Sequence, residues 1–222
     1  MLDNLFDVKA IFRNNSIFLI PYLIFIILGG ILLFANSKTD THLEFNTFHS
    51  AFFDILFYYI TFLGDGVAAL LVVVMLMAVK FRYAFIVGVS NIIASLIAQI
   101  LKHTLFEDMV RPRKFFEGIH DLYLVPGVEN YLYNSFPSGH STCAFALYFA
   151  LSIIVENKIL KFLFFSTALM VGISRVYLSQ HFFEDIYAGS IIGVLITLVV
   201  YLVSTKINKN WMEKSLVSRT KI

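Results

Sequence analysis

Residues 16–35 contain no charged side chain for twenty consecutive positions, and this run is the feature that most constrains the fold. About twenty apolar residues in a helix cross the ~30 Å hydrocarbon core of a bilayer. The run is too long for the apolar part of a cleaved signal peptide, so it predicts a retained transmembrane helix. Five further apolar segments predict an all-α, polytopic membrane protein built as a six-transmembrane-helix bundle. They lie at about 66–80, 83–102, 139–156, 159–177 and 185–205.

Composition supports a membrane protein and excludes several other classes. The 222 residues are 59% hydrophobic and 14% charged, whereas soluble domains are about 45–50% apolar and about 25% charged. A net charge of only +2 creates no extensive positive potential that would attract nucleic acid. The single cysteine, Cys143, excludes an intrachain disulfide. The length suits one domain over 1–222, and nothing in the sequence indicates an obligate protein partner.

The segment 45–63 is apolar and aromatic, but it carries His49 and Asp54. We interpret it as an amphipathic helix that lies at the membrane interface and ends at the Gly64-Asp65-Gly66 turn.

Lysine and arginine positions predict the orientation of the bundle. Each of the segments 1–15, 80–82, 156–161 and 206–222 carries basic residues, which predicts that they and both termini are cytoplasmic. The basic tail 206–222 is then a topological anchor near anionic headgroups. The loop 103–138 on the other side is an exception, since it is also basic. Its positive charges need a partner, either the carboxylates of the loop itself or an anionic substrate.

Three polar clusters fall on that same outer side, and together they are suited to a phosphoryl group. They are Lys102 with Arg111-Pro112, the PSGH stretch 137–140, and the segment 174–185. One arginine guanidinium can donate to two phosphate oxygens at once, and lysine adds a compact positive charge. Backbone amides of Ser138-Gly139, at the start of a helix, favour an anion. Arg175 completes a set of three cations, with Lys102 and Arg111.

Two histidines and one aspartate supply candidate catalytic groups. His181 and Asp185 are four residues apart, so on one helical turn they lie on the same face. Asp185 can then orient the His181 ring and leave its other nitrogen free to attack phosphorus. His140 remains to protonate the leaving oxygen. The cations already stabilise the transition-state charge, so we expect no metal and no cofactor.

These clusters resemble the signature of the type-2 phosphatidic-acid phosphatase superfamily, which reads K-x6-RP, PSGH and SR-x5-H-x3-D. The second and third motifs match at 137–140 and 174–185, and the similarity covers about 45–205. The resemblance implies that His181 accepts the phosphoryl group, that Asp185 is its partner and that His140 is the general acid. It implies that phosphate is held by Lys102, Arg111, Ser138, Gly139 and Arg175.

The first motif departs from the family pattern, because eight residues rather than six separate Lys102 from Arg111. Nine positions along a helix rotate by about 900°, onto opposite faces. We therefore expect the helix to end between the two residues, and Pro112 supports a break at Arg111. Whether Lys102 contacts phosphate stays open. His42, His49 and His120 match no motif and are predicted to be solvated.

The resulting hypothesis is an integral membrane hydrolase for lipid phosphates or diphosphates, with the site on the periplasmic face of a bacterial inner membrane. Undecaprenyl diphosphate, phosphatidylglycerophosphate, phosphatidic acid and lipid A are candidate substrates. Two alternatives remain open: a lipid phosphotransferase that uses the same phosphohistidine, and a non-catalytic anion or lipid transporter. A vanadium-dependent oxidase shares the type of pocket, but the membrane spans argue against it.

Overall fold

The computed structural model describes residues 8–217, in which all regular secondary structure is helical. Residues 218–222 of the predicted basic tail, with Arg219 and Lys221, lie outside this range. Within it, 3-10 turns occupy Thr61–Gly64 and Asn210–Glu213, and ten α-helices occur. The helices are α1 (Val8–Asn14), α2 (Ser16–Ala35), α3 (Lys38–Thr47), α4 (Ala51–Ile60), α5 (Gly66–Val79), α6 (Phe81–Thr104), α7 (Pro112–Phe115), α8 (Gly139–Ile154), α9 (Lys158–Tyr177) and α10 (Phe183–Lys206).

The six apolar segments predicted from the sequence are the six helices α2, α5, α6, α8, α9 and α10. Of these, α2, α6, α9 and α10 are long and apolar enough to cross a membrane. A fifth candidate is the bent pair Ala51–Gly64 and Gly66–Val79, whose two parts meet at 54°. The all-α membrane fold is therefore confirmed, whereas the count of six spans is not, because α8 is only 16 residues long.

The segment 45–63 is helical as predicted, but it is not one continuous helix. The chain breaks at Phe48–Ser50, so α3 ends at Thr47 and α4 begins at Ala51. The Ser50 side chain starts α4 by accepting the Phe53 N–H at 3.3 Å. Helix α4 and the 3-10 turn that follows it form the first half of the bent pair, and α5 forms the second half. The predicted turn at 64–66 is present, and the Asp65 carboxylate accepts the Val67 N–H at the start of α5.

Polar side chains at the loop ends define where the helices start. Ser37, Ser138 and Asn157 precede α3, α8 and α9, and each accepts backbone N–H groups of the first turn. These N–H groups have no partner inside the helix, and a capping oxygen satisfies one or two of them. Asn157 accepts two, from Ile159 and Leu160, at 2.8 and 3.1 Å.

Helix α8 is the centre of the bundle, and it packs against α6, α9 and α10. Its residues from Ser141 to Ala150 are all buried. Aromatic rings from α2 and α9 surround its middle, with Phe18 in contact with both Phe149 and Phe165 at ring-centre distances of 5.0 and 5.7 Å. This apolar core surrounds the helix that starts with the PSGH motif.

Two glycines let α10 approach α8 closely. A Cβ on Gly193 would lie 2.6 Å from the Thr142 carbonyl oxygen, and one on Gly189 would lie 2.7 Å from the Ser138 carbonyl oxygen. Glycines spaced four apart commonly form such close helix contacts in membranes. The contact holds the first turn of α10, with Asp185, beside the first turn of α8.

Arg82 links α6 to the end of α10, at the end of the bundle opposite the first turn of α8. Its guanidinium donates to the carbonyl oxygens of Ser204 and Ile207, at 2.5 and 3.0 Å. Glu213 of the second 3-10 turn forms ion pairs with Lys80 and Arg82. The last described residues therefore pack against the end of the bundle at which α6 begins and α10 ends.

Candidate active site

The predicted site residues come from four elements that meet at one end of the bundle. They lie at the end of α6, in the loop before α8, at the start of α8, and across the connection from α9 to α10. The Ser138 N–H donates to the Asp185 carbonyl oxygen at 3.0 Å, which joins the second and third motifs directly.

His181 and Asp185 form the buried centre of the site. The His181 Nδ1 lies 3.0 Å from the Asp185 Oδ2, and the two side chains are 2% and 1% exposed. The same carboxylate oxygen accepts the Ser135 hydroxyl at 2.5 Å and the Phe182 N–H at 3.0 Å. Three donors on one oxygen hold the Asp185 carboxylate in place. The carboxylate in turn orients the His181 ring through Nδ1 and leaves Nε2 free of it.

The three predicted cations are oriented by neutral acceptors, which are backbone carbonyl groups for Lys102, side-chain oxygens for Arg175 and both kinds for Arg111. The helix α6 ends at Thr104, as the spacing of the first motif predicts, and the buried Lys102 donates to the Asn134 carbonyl oxygen at 3.0 Å. Arg111 donates through Nε to the Tyr133 carbonyl oxygen at 2.9 Å. Arg175 is buried and donates to the Thr61 hydroxyl at 2.6 Å.

The Arg175 guanidinium retains a buried donor. Its Nε has no hydrogen-bond partner within residues 8–217. An unpaired buried N–H of a charged group is costly to the folded protein.

Gln180 connects two of the cations, and sequence reasoning missed it. Its Oε1 accepts from Arg111 Nη1 at 3.2 Å and from Arg175 Nη2 at 3.3 Å. Its Nε2 donates to the Glu129 carbonyl oxygen at 2.9 Å and to Asn130 Oδ1 at 2.7 Å. The amide is thus held by the loop before α8. A glutamine directly before a motif histidine was the available signal, but its type alone indicates no role.

The start of α8 presents the predicted anion-binding amides. Ser138 caps the helix, and its Oγ accepts the Ser141 N–H at 3.4 Å. A Cβ built on Gly139 would meet no atom within 4 Å, so this backbone faces open space. His140 follows and is half-buried. A ligand can therefore approach the first turn closely, beside His140.

The electrostatics of His181 show that the predicted residues lie close together. Burial lowers the pKa of His181 well below its ordinary value of 6.5, and neighbouring positive charges lower it further. Those neighbours are Arg111, Lys102, Arg175 and His140. The His181 ring is therefore neutral near pH 7, which is the form that can act as a nucleophile.

His42 corrects one expectation, because this histidine is buried rather than solvated. It is 1% exposed and packs on the rings of Phe116 and Phe182. Its Nε2 lies 3.3 Å from the Ser179 hydroxyl, and Ser179 has a φ of +53°. Left-handed backbone is uncommon outside glycine and asparagine. Helix α3 therefore supports the strained turn that precedes His181. His49 and His120 are exposed, as predicted.

Comparison with known proteins identifies a matching family and several relatives. The family model described as the PAP2 superfamily matches residues 82–209. The lipid A 4'-phosphatase of Porphyromonas gingivalis is 30% identical over 134 residues, which are 59% of this chain and 56% of that protein. The bacitracin transport permease protein BcrC of Bacillus licheniformis is 35% identical over 81 residues, which are 36% of this chain and 39% of that protein. The chain thus spans about half or less of these relatives.

Two solved structures share the fold. Aquifex aeolicus LpxE has a TM-score of 0.66 and 23% identity, and the match covers 73% of this chain and 93% of that chain. A transmembrane PAP2 type phosphatidylglycerolphosphate phosphatase from Bacillus subtilis has a TM-score of 0.62 and 24% identity, over 90% of this chain and 99% of that chain. The helical arrangement described above is therefore that of known membrane proteins.

Proposed function

Since the chain belongs to the PAP2 superfamily, we propose that it is an integral membrane phosphatase that hydrolyses a lipid phosphate or diphosphate through a phosphohistidine on His181. The observation that carries this proposal is the buried contact of 3.0 Å between His181 Nδ1 and Asp185. A non-catalytic anion pocket needs the cations but gains nothing from a neutral, oriented histidine among them.

In the first step, His181 Nε2 attacks phosphorus while the bond from phosphorus to the leaving oxygen breaks. Asp185 stabilises the positive charge that develops on the His181 ring, as the aspartate of a catalytic triad does for its histidine. His140 donates a proton to the leaving oxygen.

In the second step, His140 takes a proton from water as the water oxygen attacks phosphorus. The phosphorus–nitrogen bond breaks, inorganic phosphate leaves, and His181 returns to its neutral form. Lys102, Arg111, Arg175 and the amides at Ser138-Gly139 bind the phosphoryl oxygens in both steps. Their fixed positions stabilise the transition-state charge without reorganisation.

The substrate class follows from the position of the site and from the relatives. The site lies at the end of a bundle whose neighbouring helices face lipid, so a phosphate at the membrane interface reaches it from the side. One relative is named a lipid A 4'-phosphatase and one solved structure a phosphatidylglycerolphosphate phosphatase. Both names support a lipid phosphate as substrate here. We place the site on the periplasmic face of a bacterial inner membrane, because the opposite end carries the basic segments.

The test is phosphate release by purified protein from a panel of lipid phosphates and diphosphates, with a chelator present. We expect His181→Ala to abolish release and His140→Ala to lower it about 10²–10⁴-fold. His120→Ala, at an exposed histidine away from the motifs, is the matched control and should retain wild-type turnover. Near wild-type turnover in a folded His181→Ala protein contradicts the proposal.

The same panel separates the two alternatives. Transfer of the phosphoryl group to an added lipid or sugar, in preference to water, would identify a phosphotransferase. Binding of lipid phosphates without turnover of any of them would favour a transporter, a reading to which the name of the bacitracin permease lends some support. A lipid substrate whose phosphate is radioactive should leave an acid-labile phosphohistidine on wild-type protein and none on His181→Ala.

A further inference from the structure

A second basic cavity lies at the end of the bundle opposite the candidate active site. Its volume is about 570 Å³, and it is enclosed by the start of α2, the end of α8 and the start of α9. The active-site residues lie at the other ends of α8 and α9. Because α8 has 16 residues and each adds about 1.5 Å, the two sites are separated by about 24 Å. The cavity is therefore no part of the site described above.

Lys161 in the wall of this cavity is a buried cation whose direct hydrogen-bond partners are neutral. The residue is 5% exposed. Its ammonium group donates to the Asn14 carbonyl oxygen at 2.7 Å and to Asn15 Oδ1 at 2.8 Å, which are both neutral acceptors. Among residues 8–217, no carboxylate lies within ion-pair distance of it. A buried charge whose direct partners are neutral is costly, and Glu156 compensates it only at a distance, so an anion at this position would stabilise the protein.

Two further cations line the same cavity. Arg13 and Lys158 are exposed, and neither forms an ion pair with another residue in the described range. Glu156 is the one acidic residue among the described residues that line the cavity, so three positive charges face one negative charge. Ser16 and Ile17, at the first turn of α2, also line it, and the free amides of such a turn favour an anion.

The remaining wall is apolar and leads onto the lipid-facing surface. Ile17, Ile153 and Ile154 line the cavity, and α2 continues from it with exposed side chains such as Ile20 and Ile24. A free inorganic anion makes no use of such a surface, whereas an amphiphile places its phosphate on the cations and its chains along α2. The combination of a basic pocket between helices and an adjoining apolar face fits a lipid headgroup.

We propose that this cavity binds the phosphate-bearing headgroup of an anionic phospholipid in the leaflet opposite the active site. The phosphate contacts Lys161, Arg13 and Lys158, and the acyl chains lie along α2. Because Lys161 already ties α9 to the joint between α1 and α2, the bound lipid stabilises that joint. This proposal is independent of the reaction that the protein catalyses.

The test uses full-length protein, purified in detergent and stripped of lipid. Thermal unfolding is followed while phosphatidylglycerol, phosphatidylcholine or inorganic phosphate is added, with vanadate present throughout to fill the active site. We expect phosphatidylglycerol to raise the unfolding temperature and the other two to have much smaller effects. The Arg13→Gln/Lys158→Gln double variant should bind phosphatidylglycerol about tenfold more weakly.

The control is Lys209→Gln/Lys214→Gln, which removes the same charge from exposed lysines at the same end of the bundle but outside the cavity. It should respond to phosphatidylglycerol like wild-type protein. Equal stabilisation by phosphatidylcholine, or an unchanged response in the Arg13/Lys158 variant, overturns the proposal. An equal response to inorganic phosphate overturns the assignment to a lipid. Phosphate release from a short-chain substrate should be unchanged in both variants, which verifies that they fold.

Discussion

At the scale of single residues, the site is a set of charges held apart by neutral groups. Arg111 and Arg175 both donate to one oxygen of Gln180 rather than to a carboxylate. A neutral acceptor orients the guanidinium groups without neutralising them, so both keep their charge for the phosphoryl group. A carboxylate at the same place would compete with the substrate for the same donors.

Substitution of Gln180 tests this interpretation. We expect Gln180→Glu to raise KM for the lipid phosphate about tenfold and to weaken inhibition by vanadate, because the new carboxylate occupies the arginines. Gln180→Met removes the shared acceptor at similar volume and should lower kcat/KM about tenfold or more. Steady-state kinetics and vanadate titration measure both effects. Gln99→Met, at an exposed glutamine of α6, is the control; unchanged constants in both Gln180 variants would contradict the role.

Ser135 gives a second prediction at this scale. Its buried hydroxyl donates to Asp185 at 2.5 Å. Ser135→Ala removes one of three donors that fix the carboxylate, so we expect kcat to fall about tenfold while KM stays near its wild-type value. Ser135→Thr keeps the hydroxyl and should recover part of the rate. A change confined to KM would show that Ser135 acts on substrate binding instead.

The assembly of the motif residues at one end of the bundle could be predicted, because histidine, aspartate, arginine and lysine are expensive near a membrane and occur there for a chemical reason. Gln180 and Ser135 could not, since neutral polar residues are common in loops and their partners are distant in sequence. His42 illustrates the same limit. Nothing near it in the chain indicates that it packs on Phe116 and Phe182.

At the scale of elements, the close contact of α8 and α10 positions the second and third sequence motifs beside each other. Alanine at Gly193 would place a methyl group within 2.6–2.8 Å of backbone atoms of α8, which cannot move as a side chain can. We expect Gly193→Ala to destabilise the protein by about 2 kcal/mol and to lower activity. In Gly88→Ala the new methyl group meets Val73 at 3.5 Å, an ordinary contact. This control should unfold at the wild-type temperature or slightly above it, whereas equal stability of the two variants would contradict the packing argument.

Helix α3 makes stability depend on pH through His42. Burial lowers the pKa of His42 from 6.5 to about 4, so the unfolded chain takes up a proton below about pH 6.5 that the folded protein does not. Stability should therefore fall as the pH drops from about 6.5 towards 4, by roughly 3 kcal/mol from this residue. Thermal unfolding of His42→Gln across this range should show a shallower decline. His120→Gln, at an exposed histidine, should follow wild-type protein, and identical slopes for all three proteins would exclude His42 as a source.

The elements themselves differ in how well the sequence predicts them. The six apolar helices were located to within about two residues, because a long uncharged run in a membrane protein has few alternatives to a helix. The break within the segment 45–63 could not be predicted, because it depends on local capping and tertiary contacts. Asn46 there binds the backbone of Tyr123 in both directions at 2.8 Å, and Asp54 accepts the Tyr123 and Tyr177 hydroxyls. These contacts bind α3 and α4 to the loop 103–138 and bind α4 to α9.

At the scale of the whole molecule, the number of crossings depends on α8. Its 16 residues extend for about 24 Å, less than the ~30 Å of the hydrocarbon core. However, α8 is surrounded by other helices and most of its residues are buried. A helix shielded from lipid does not have to match the thickness of the bilayer, so length alone is a poor criterion for it. We therefore expect α8 to cross and to place its two ends on opposite sides of the membrane.

Cysteine labelling on both sides of α8 tests this topology. In a Cys143→Ser background, we introduce Asp121→Cys, before α8 at the active-site end, and Glu156→Cys, in the exposed turn after it. A membrane-impermeant maleimide added to intact cells should label position 121 only, and position 156 should react after permeabilisation. This pattern follows from the basic segments at the end of the bundle that contains Glu156. Labelling of both positions in intact cells would mean that α8 does not cross, and labelling of position 156 alone would reverse the orientation and place the active site in the cytoplasm.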